Sequence, residues 1–211
     1  MVGCIYYEGI EKTPEAHVLI DPLIPAHSEE ETRRFWEFLD RRLHRHRVPL
    51  AILVANRHHG RNAQRILDRY RGTIRAEIWA PSQAKAHLAF QVTKAFEPGD
   101  ALPGGIQGFF IAGLDNAETA FYFPSARALV FADAVIGTGG GEVRVAPASW
   151  ADESAAGQQA YAEKFRPSLQ RLLELEIDLI LPSHGEPVTS DGSAALARAL
   201  ESPAWGETAS S

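Results

Sequence analysis

The chain has 211 residues, 45% of them hydrophobic, which is enough for one sizeable domain and short for two. A formal net charge of −6 with dispersed lysines and arginines excludes an extended nucleic-acid-binding surface. The single cysteine, Cys4, excludes an internal disulfide, and no run approaches the roughly 18 apolar residues that span a membrane. We therefore expect a cytoplasmic protein with one domain at residues 1–201 and a flexible tail at residues 202–211.

The first predicted elements are two short β-like runs, Val2–Tyr7 and His17–Ile20, followed by a helix with a clear start signal. Ser28 and Glu31 have the spacing of a capping box, and the glutamates between them favour the positive end of a helix dipole. Arginines crowd the last turns of this helix, where cations complement the dipole. We interpret them as a solvated helix end.

The middle of the chain combines a buried strand with an antiparallel meander. Leu50–Ala55 is apolar without alternation, which indicates a strand covered on both faces, and a short helix follows at Asn62–Tyr70. An alternating run, Ile74–Trp79, indicates a half-exposed strand. Three further β segments predict the meander: Ile106–Ile111, Thr119–Phe123 and Ala128–Phe131.

The last third of the chain is mainly helical. Gly137–Gly141 lacks the spacing of a phosphate-binding loop, and we interpret it as flexible linkage. The pattern then predicts a helical region, a strand and a final helix, at Gln158–Glu176, Leu179–Leu181 and Ala194–Leu200.

Metal-capable side chains stand at the ends of three predicted strands. The first buried strand opens onto His58 and His59, the meander ends at Asp133, and the last strand is followed by His184. Because α/β sheets place ligands outside the carboxyl ends of their strands, we expect a site there. Each residue also has an ordinary explanation, since loop histidines form hydrogen bonds and aspartates cap turns.

This order of segments resembles the metallo-β-lactamase superfamily over about residues 17–190. Asp21 closes a strand similar to that family's early strand ending in Asp-Thr-Gly, Asp133 matches its metal-bridging aspartate, and His184 matches its last histidine. The resemblance implies a four-layer αββα sandwich of two mixed sheets flanked by helices. It also implies that the strands at residues 50–55, 128–131 and 179–181 are interior.

The same resemblance shows which ligand positions differ. The family reads H-x-H-x-D-H after its early buried strand, and His58 matches the second histidine of that motif. Asn56, Gly60 and Arg61 stand in place of the first histidine, the aspartate and the third histidine. In the segment that corresponds to Gly-His-Thr-Pro-Gly, Leu114 replaces a further histidine. Neither of the family's two metal sites keeps three protein ligands, the number that a catalytic zinc site needs.

The remaining ligands predict one shared metal site. His58, Asp133 and His184 would form a two-histidine, one-carboxylate set suited to a single Zn, Fe or Mn ion. Asp115 or His59 would be the source of any fourth group, but we expect His59, as the immediate neighbour of His58, to point elsewhere. Asn56 and Arg61 should border the same cleft, because the loop that carries His58 also carries them.

Two function classes follow from this pattern. The first is a single-metal hydrolase of an ester-like or phosphoester small molecule, in which Asp133 acts as general base and Arg61 stabilises charge. Arg61, Asn56 and Asp115 would then contact an anionic substrate. The second class is a metal-free, non-catalytic binding module for a small molecule or a protein. A flavodoxin-like domain is disfavoured by the meander, and the sequence does not specify substrate or oligomeric state.

Overall fold

The computed structural model describes residues 3–8, 15–115 and 118–207. The first sheet has five strands, which lie side by side in chain order: β1 (Ile5–Tyr7), β2 (His17–Ile20), β3 (Leu50–Leu53), β4 (Ala76–Pro81) and β5 (Lys94–Phe96). Strands β2 to β5 are parallel, and β1 pairs antiparallel with β2. The carboxyl ends of the parallel strands therefore meet at one edge of the sheet.

The remaining strands follow in the second half of the chain: β6 (Gln107–Ile111), β7 (Glu118–Phe123), β8 (Ala128–Phe131), β9 (Val135–Gly139), β10 (Glu142–Val145) and β11 (Leu179–Pro182). The second sheet has the order β11-β8-β7-β6, and β9 pairs with β10 as a separate hairpin. Strands β6, β7 and β8 form the predicted antiparallel meander, whereas β11 runs parallel to β8.

Within the described ranges, six α-helices flank the sheets: α1 (Glu29–Arg45), α2 (Ala63–Tyr70), α3 (Ser82–Lys85), α4 (Ala155–Ala160), α5 (Arg166–Gln170) and α6 (Gly192–Glu201). The predicted cap of α1 is present, since Ser28 Oγ accepts the backbone N–H of Glu31 at 3.1 Å. A π-helical segment, Tyr161–Phe165, joins α4 to α5, and a 3-10 turn at Arg171–Glu174 ends this helical region. Among the described residues, the helices are too short or too polar to cross a membrane.

The alternation of side chains along the strands produces the layers. Val18 and Ile20 of β2 pack against Phe121 and the rest of a core that lies between the two sheets. Leu19, between them, points to the opposite face and packs with α1 and α2. The outer face of the second sheet is covered by residues of α5 and α6. Burial of each such apolar side chain stabilises the fold by roughly 1.5–3 kcal/mol. The predicted αββα sandwich is confirmed.

Two details differ from the sequence-based expectation. β11 is an edge strand rather than an interior one, because the strand order places it beyond β8. Its outer edge is covered by a bridge in which Ile180 and Val188 exchange backbone hydrogen bonds of 3.0 and 2.9 Å. The residues interpreted as linkage, 137–141, are ordered in the β9–β10 hairpin, whose turn glycines adopt positive φ.

The ends of the chain are described only in part. Residue 2, which was expected to open the first strand, lies outside the described residues, and β1 begins at Ile5. Residues 202–207, which were expected in the tail, include the buried Ala204, and the N–H of Trp205 donates to the carbonyl of Val145 at 2.9 Å. Residues 208–211 of the expected tail lie outside the described ranges.

Candidate metal centre

Asp21 begins the site in the N-terminal half. It follows β2 directly, is buried, and adopts a φ of 47°. Its Oδ1 accepts the backbone N–H of Ala55 at 2.8 Å, which ties the ends of β2 and β3 together. Its Oδ2 lies 2.9 Å from Nδ1 of His59. A carboxylate bound to one ring nitrogen fixes the orientation of a histidine and directs the other nitrogen outward.

Asn56 shapes the loop that carries His59. Its side-chain oxygen accepts the backbone N–H groups of His58 and His59, at 2.9 and 3.1 Å, in the manner of an Asx turn. Its amide nitrogen donates to Oδ2 of Asp133 at 2.8 Å. One buried asparagine therefore fixes the loop conformation and links it to the opposite sheet.

Asp133 is held in the C-terminal half by a residue that the sequence analysis did not single out. Glu118, which is fully buried at the start of β7, accepts the backbone N–H groups of Ala132, Asp133 and Ala134 at 2.7, 2.6 and 2.7 Å. These bonds fix the backbone just after β8. The sequence signal was a lone glutamate in an otherwise apolar strand, because such a residue is rarely buried without hydrogen-bond partners.

His184 follows β11 and is positioned by its backbone. Its carbonyl accepts the N–H of Gly137 at 2.9 Å, so the β9–β10 hairpin braces the histidine loop. The approach is so close that a Cβ at position 137 would overlap backbone atoms of Glu186. The His184 side chain is partly exposed, and its Nε2 lies 3.1 Å from Oδ1 of Asp133.

These elements bring three metal-capable side chains together. Ligand atoms of His59, Asp133 and His184 all lie within 4.8 Å of one another. Nε2 of His59 lies 3.2 Å from Oδ1 of Asp133, the same oxygen that His184 approaches. Metal–ligand distances of about 2.0–2.2 Å place neighbouring ligand atoms about 3.0–3.6 Å apart. The two separations from Asp133 match this spacing, and the three side chains together could hold one divalent ion.

The electrostatics of the cluster follow from its burial and its charges. Burial opposes a charge on His59, but the negative charges and hydrogen bonds of Asp21 and Asp133 outweigh it and raise its pKa to about 10. For Asp133, burial opposes ionisation, and hydrogen bonds from His184, His59 and Asn56 outweigh it and hold its pKa well below the usual value. At neutral pH His59 is therefore protonated, as an imidazolium, and Asp133 is ionised, as a carboxylate.

Glu118 has the opposite behaviour. Burial and the nearby charge of Asp133 raise its pKa to about 8, against the lowering effect of the three backbone N–H groups. Of the two carboxyl groups, Asp133 is therefore the one that ionises more readily.

The structure brings together two of the three predicted ligands and replaces the third. His58 is exposed, its Nε2 faces the Arg57 side chain at 3.2 Å, and it is not part of the cluster. His59 takes its place, contrary to the expectation that this residue points elsewhere. Consecutive side chains on a loop diverge, and the Asn56 turn directs the second histidine inward. The buried Asp21 was the one sequence signal for this choice, because it needs a partner.

Two of the other predicted site residues, Arg61 and Asp115, line the same cleft, whereas Asn56 is fully buried and is not among its lining residues, contrary to the expectation that it borders the cleft. Arg61 contacts the cluster directly, since its Nη2 lies 3.1 Å from Nε2 of His59. Asp115 lies at the cleft wall, where it forms an ion pair with Arg57. The cleft has a volume of about 970 Å³, and its outer wall is formed by residues 149–154, including the exposed Trp150.

No protein-family model and no curated protein matches this sequence. Solved structures match it across almost its whole length. A β-lactamase domain protein from Burkholderia ambifaria superposes with a TM-score of 0.62 at 19% identity, over 94% of this chain and 65% of the other. The chain thus spans less than two thirds of that relative's length.

A metallo-β-lactamase from Pontibacter korlensis gives a TM-score of 0.62 at 16% identity, over 91% of this chain and 85% of the other. A metallo-β-lactamase from Pseudomonas aeruginosa, determined in a mono-zinc form, gives 0.54 at 10% identity, over 94% and 89% of the two chains. At these identities the likeness establishes the fold.

Proposed function

We propose that this chain, which has the metallo-β-lactamase fold, is a hydrolase whose cleft binds one divalent metal ion through His59, Asp133 and His184. The observation that carries the proposal is the orientation of His59. Its Nδ1 is bound to the buried Asp21, so its Nε2 is directed at the oxygen of Asp133 that His184 also approaches. An orienting carboxylate behind a histidine is the usual arrangement around a protein-bound metal.

A bound ion of this kind supplies Lewis acidity and lowers the pKa of a water molecule. The chain's own residues restrict what else takes part. Asn56 donates to one oxygen of Asp133, and the two histidines engage the other, so Asp133 is better suited to a ligand than to the general-base role expected from the sequence. The proposed substrate is an ester-like or phosphoester small molecule. Its anionic group would bind Arg61, which borders the cleft.

We expect little or no β-lactam hydrolysis. Gly60, Arg61 and Leu114 occupy positions where the family pattern has metal ligands, and none of these three side chains can bind a metal ion. Loss of a stabilising interaction at a reacting centre typically costs about 10²–10³ in rate. A hydrolysis screen of esters, thioesters, lactones, phosphodiesters and β-lactams tests both the activity and its class.

The direct test of the metal centre compares two neighbouring histidines. We expect His59→Gln to weaken binding of Zn²⁺ or Mn²⁺ by at least about 100-fold, because it removes a ligand of a three-residue set. His58→Gln is the matched control and should leave the affinity within about twofold, because His58 lies outside the cluster. Equal losses in the two variants, measured by titration calorimetry, would contradict the proposed ligands.

A metal-free binding module is the second candidate, and one observation favours it. The Arg61 guanidinium lies 3.1 Å from Nε2 of His59, so a positive charge is already present beside the ligand atoms. Measuring the metal content of protein purified without chelators distinguishes the single-metal hydrolase from the metal-free binding module. Absence of bound metal, together with no measurable binding of Zn²⁺, Mn²⁺ or Fe²⁺, would favour this second function.

A further inference from the structure

The guanidinium group of Arg61 lies beside the nitrogen atom that the proposed metal ion needs. Its Nη2 lies 3.1 Å from Nε2 of His59, and its Nη1 donates to the carbonyl oxygen of Gly3 at 3.2 Å. A guanidinium has no lone pair to offer a metal ion and stays charged at working pH. An ion that binds Nε2 of His59, once that nitrogen has lost its proton, needs the space that the guanidinium occupies, so the ion and Arg61 cannot both lie against this nitrogen.

We infer that Arg61 competes with the metal ion for His59 and thereby sets a low metal affinity at this site. The inference rests on the proposed function, because it concerns the same three ligands. Without an ion, the Arg61 guanidinium lies against Nε2 of His59. When the ion binds, the guanidinium leaves that nitrogen and becomes available to an anionic group in the cleft that it lines.

The backbone holds Arg61 in the position where this competition occurs. Arg61 has a φ of 31°, in the left-handed region that is unfavourable for a residue with a Cβ. Gly3, which accepts the Nη1 hydrogen bond, donates its own N–H to the carbonyl of Ser183 at 2.8 Å. Arg61 is therefore tied to the loop of His59 and, through Gly3, to the loop of His184. It is not a surface arginine pointing into solvent.

A second arginine on the same loop, Arg57, provides a control. It distinguishes competition for His59 from a general electrostatic repulsion of the metal ion. Arg57 also carries a positive charge near the cleft, but its guanidinium pairs with Asp115 and its Nε faces the exposed His58. None of the contacts described for Arg57 reaches a ligand atom of the cluster. Removing Arg57 changes the charge near the cleft, whereas removing Arg61 also vacates the space beside Nε2 of His59.

The test measures Zn²⁺ affinity by titration calorimetry and Co²⁺ binding by visible absorption for four full-length proteins: wild type, Arg61→Met, Arg61→Gln and Arg57→Met. We expect Arg61→Met to bind Zn²⁺ about 10–100 times more tightly than wild type, a change of the same size as, but opposite in sign to, the loss that follows removal of a supporting partner of a metal ligand. Arg61→Gln keeps an N–H donor without the charge and should show a smaller gain. Arg57→Met should stay within about twofold of wild type.

The outcomes distinguish the two proposals. If wild type and both Arg61 variants bind Zn²⁺ with the same affinity, Arg61 does not compete with the ion. The proposed metal centre would still stand. An equal gain in Arg57→Met and Arg61→Met would also overturn the competition, because general repulsion would then be sufficient. Absence of Zn²⁺ and Co²⁺ binding in all four proteins would overturn this inference together with the proposed function.

Discussion

The two halves of the chain hold their site residues in different ways. In the C-terminal half hydrogen bonds fix the backbone of the site residues. Three backbone N–H groups around Asp133 donate to Glu118, and the N–H of Gly137 donates to the carbonyl of His184. In the N-terminal half side chains hold one another, as Asp21 does His59. The C-terminal half keeps the two ligands that match the family pattern. In the N-terminal half Asn56 also fixes the loop backbone, but the histidine that faces the site is the one that Asp21 orients.

This comparison predicts the largest effect for Glu118→Ala. The substitution leaves three buried backbone N–H groups without their acceptor, and each unsatisfied group costs about 1–3 kcal/mol. We expect the free energy of unfolding to fall by at least about 3 kcal/mol in urea denaturation. Glu142→Ala, which removes a surface ion pair with Arg198, is the control and should cost about 1 kcal/mol or less. Similar losses in both variants would mean that Glu118 does not anchor the Asp133 backbone.

The second prediction concerns pH. The pKa of His59 is raised from 6.5 to about 10, so its proton stabilises the folded state fully below pH 6.5, and this stabilisation is lost as the pH rises toward 10. The effect is about 1.4 kcal/mol for each unit of pKa shift. The raised pKa values of Glu118 and Cys4 also lower stability as the pH rises. The contribution of His59 is therefore the difference in pH dependence between wild type and a His59 variant.

Unfolding free energies measured from pH 8 to 10 test the prediction. Wild type should lose stability over this range, and both His59→Gln and Asp21→Asn should show a flatter dependence. Asp21→Asn removes the charge beside His59, while its side-chain oxygen can still accept the N–H of Ala55. Asn also tolerates the positive φ of this position. A wild-type slope that is unchanged in both variants would exclude the buried ion pair as its source.

The smallest of the three effects is expected for Gly137→Ala. A Cβ at this position would overlap backbone atoms of Glu186, so the hairpin and the His184 loop must separate. Overpacking of this kind costs about 1–3 kcal/mol. Gly72→Ala is the matched control, because a Cβ there meets nothing within 4 Å. A melting temperature of Gly137→Ala equal to that of the control would show that the hairpin does not brace His184.

The sequence by itself determined the layers of this protein. The continuous apolar run that contains β3, the meander β6–β8 and the capping signal of α1 are local patterns, and each one specifies an element with its buried face. Asp133 and His184 were also predictable, because each directly follows a strand whose carboxyl end must open at the edge of its sheet. Hydrophobic burial and strand direction are sufficient to place residues of this kind.

Only the tertiary structure decided which histidine faces the site. His58 and His59 are chemically identical neighbours, and the choice between them depends on the Asn56 turn and on Asp21, a partner 38 residues away along the chain. The role of Glu118 was hidden for the same reason, because it depends on contacts with a segment distant in sequence. Arg61 was predicted to border the cleft, but its contact with Gly3 was not. Local sequence patterns determine which apolar side chains are buried. The pairing of buried polar groups instead depends on which loops the fold brings together.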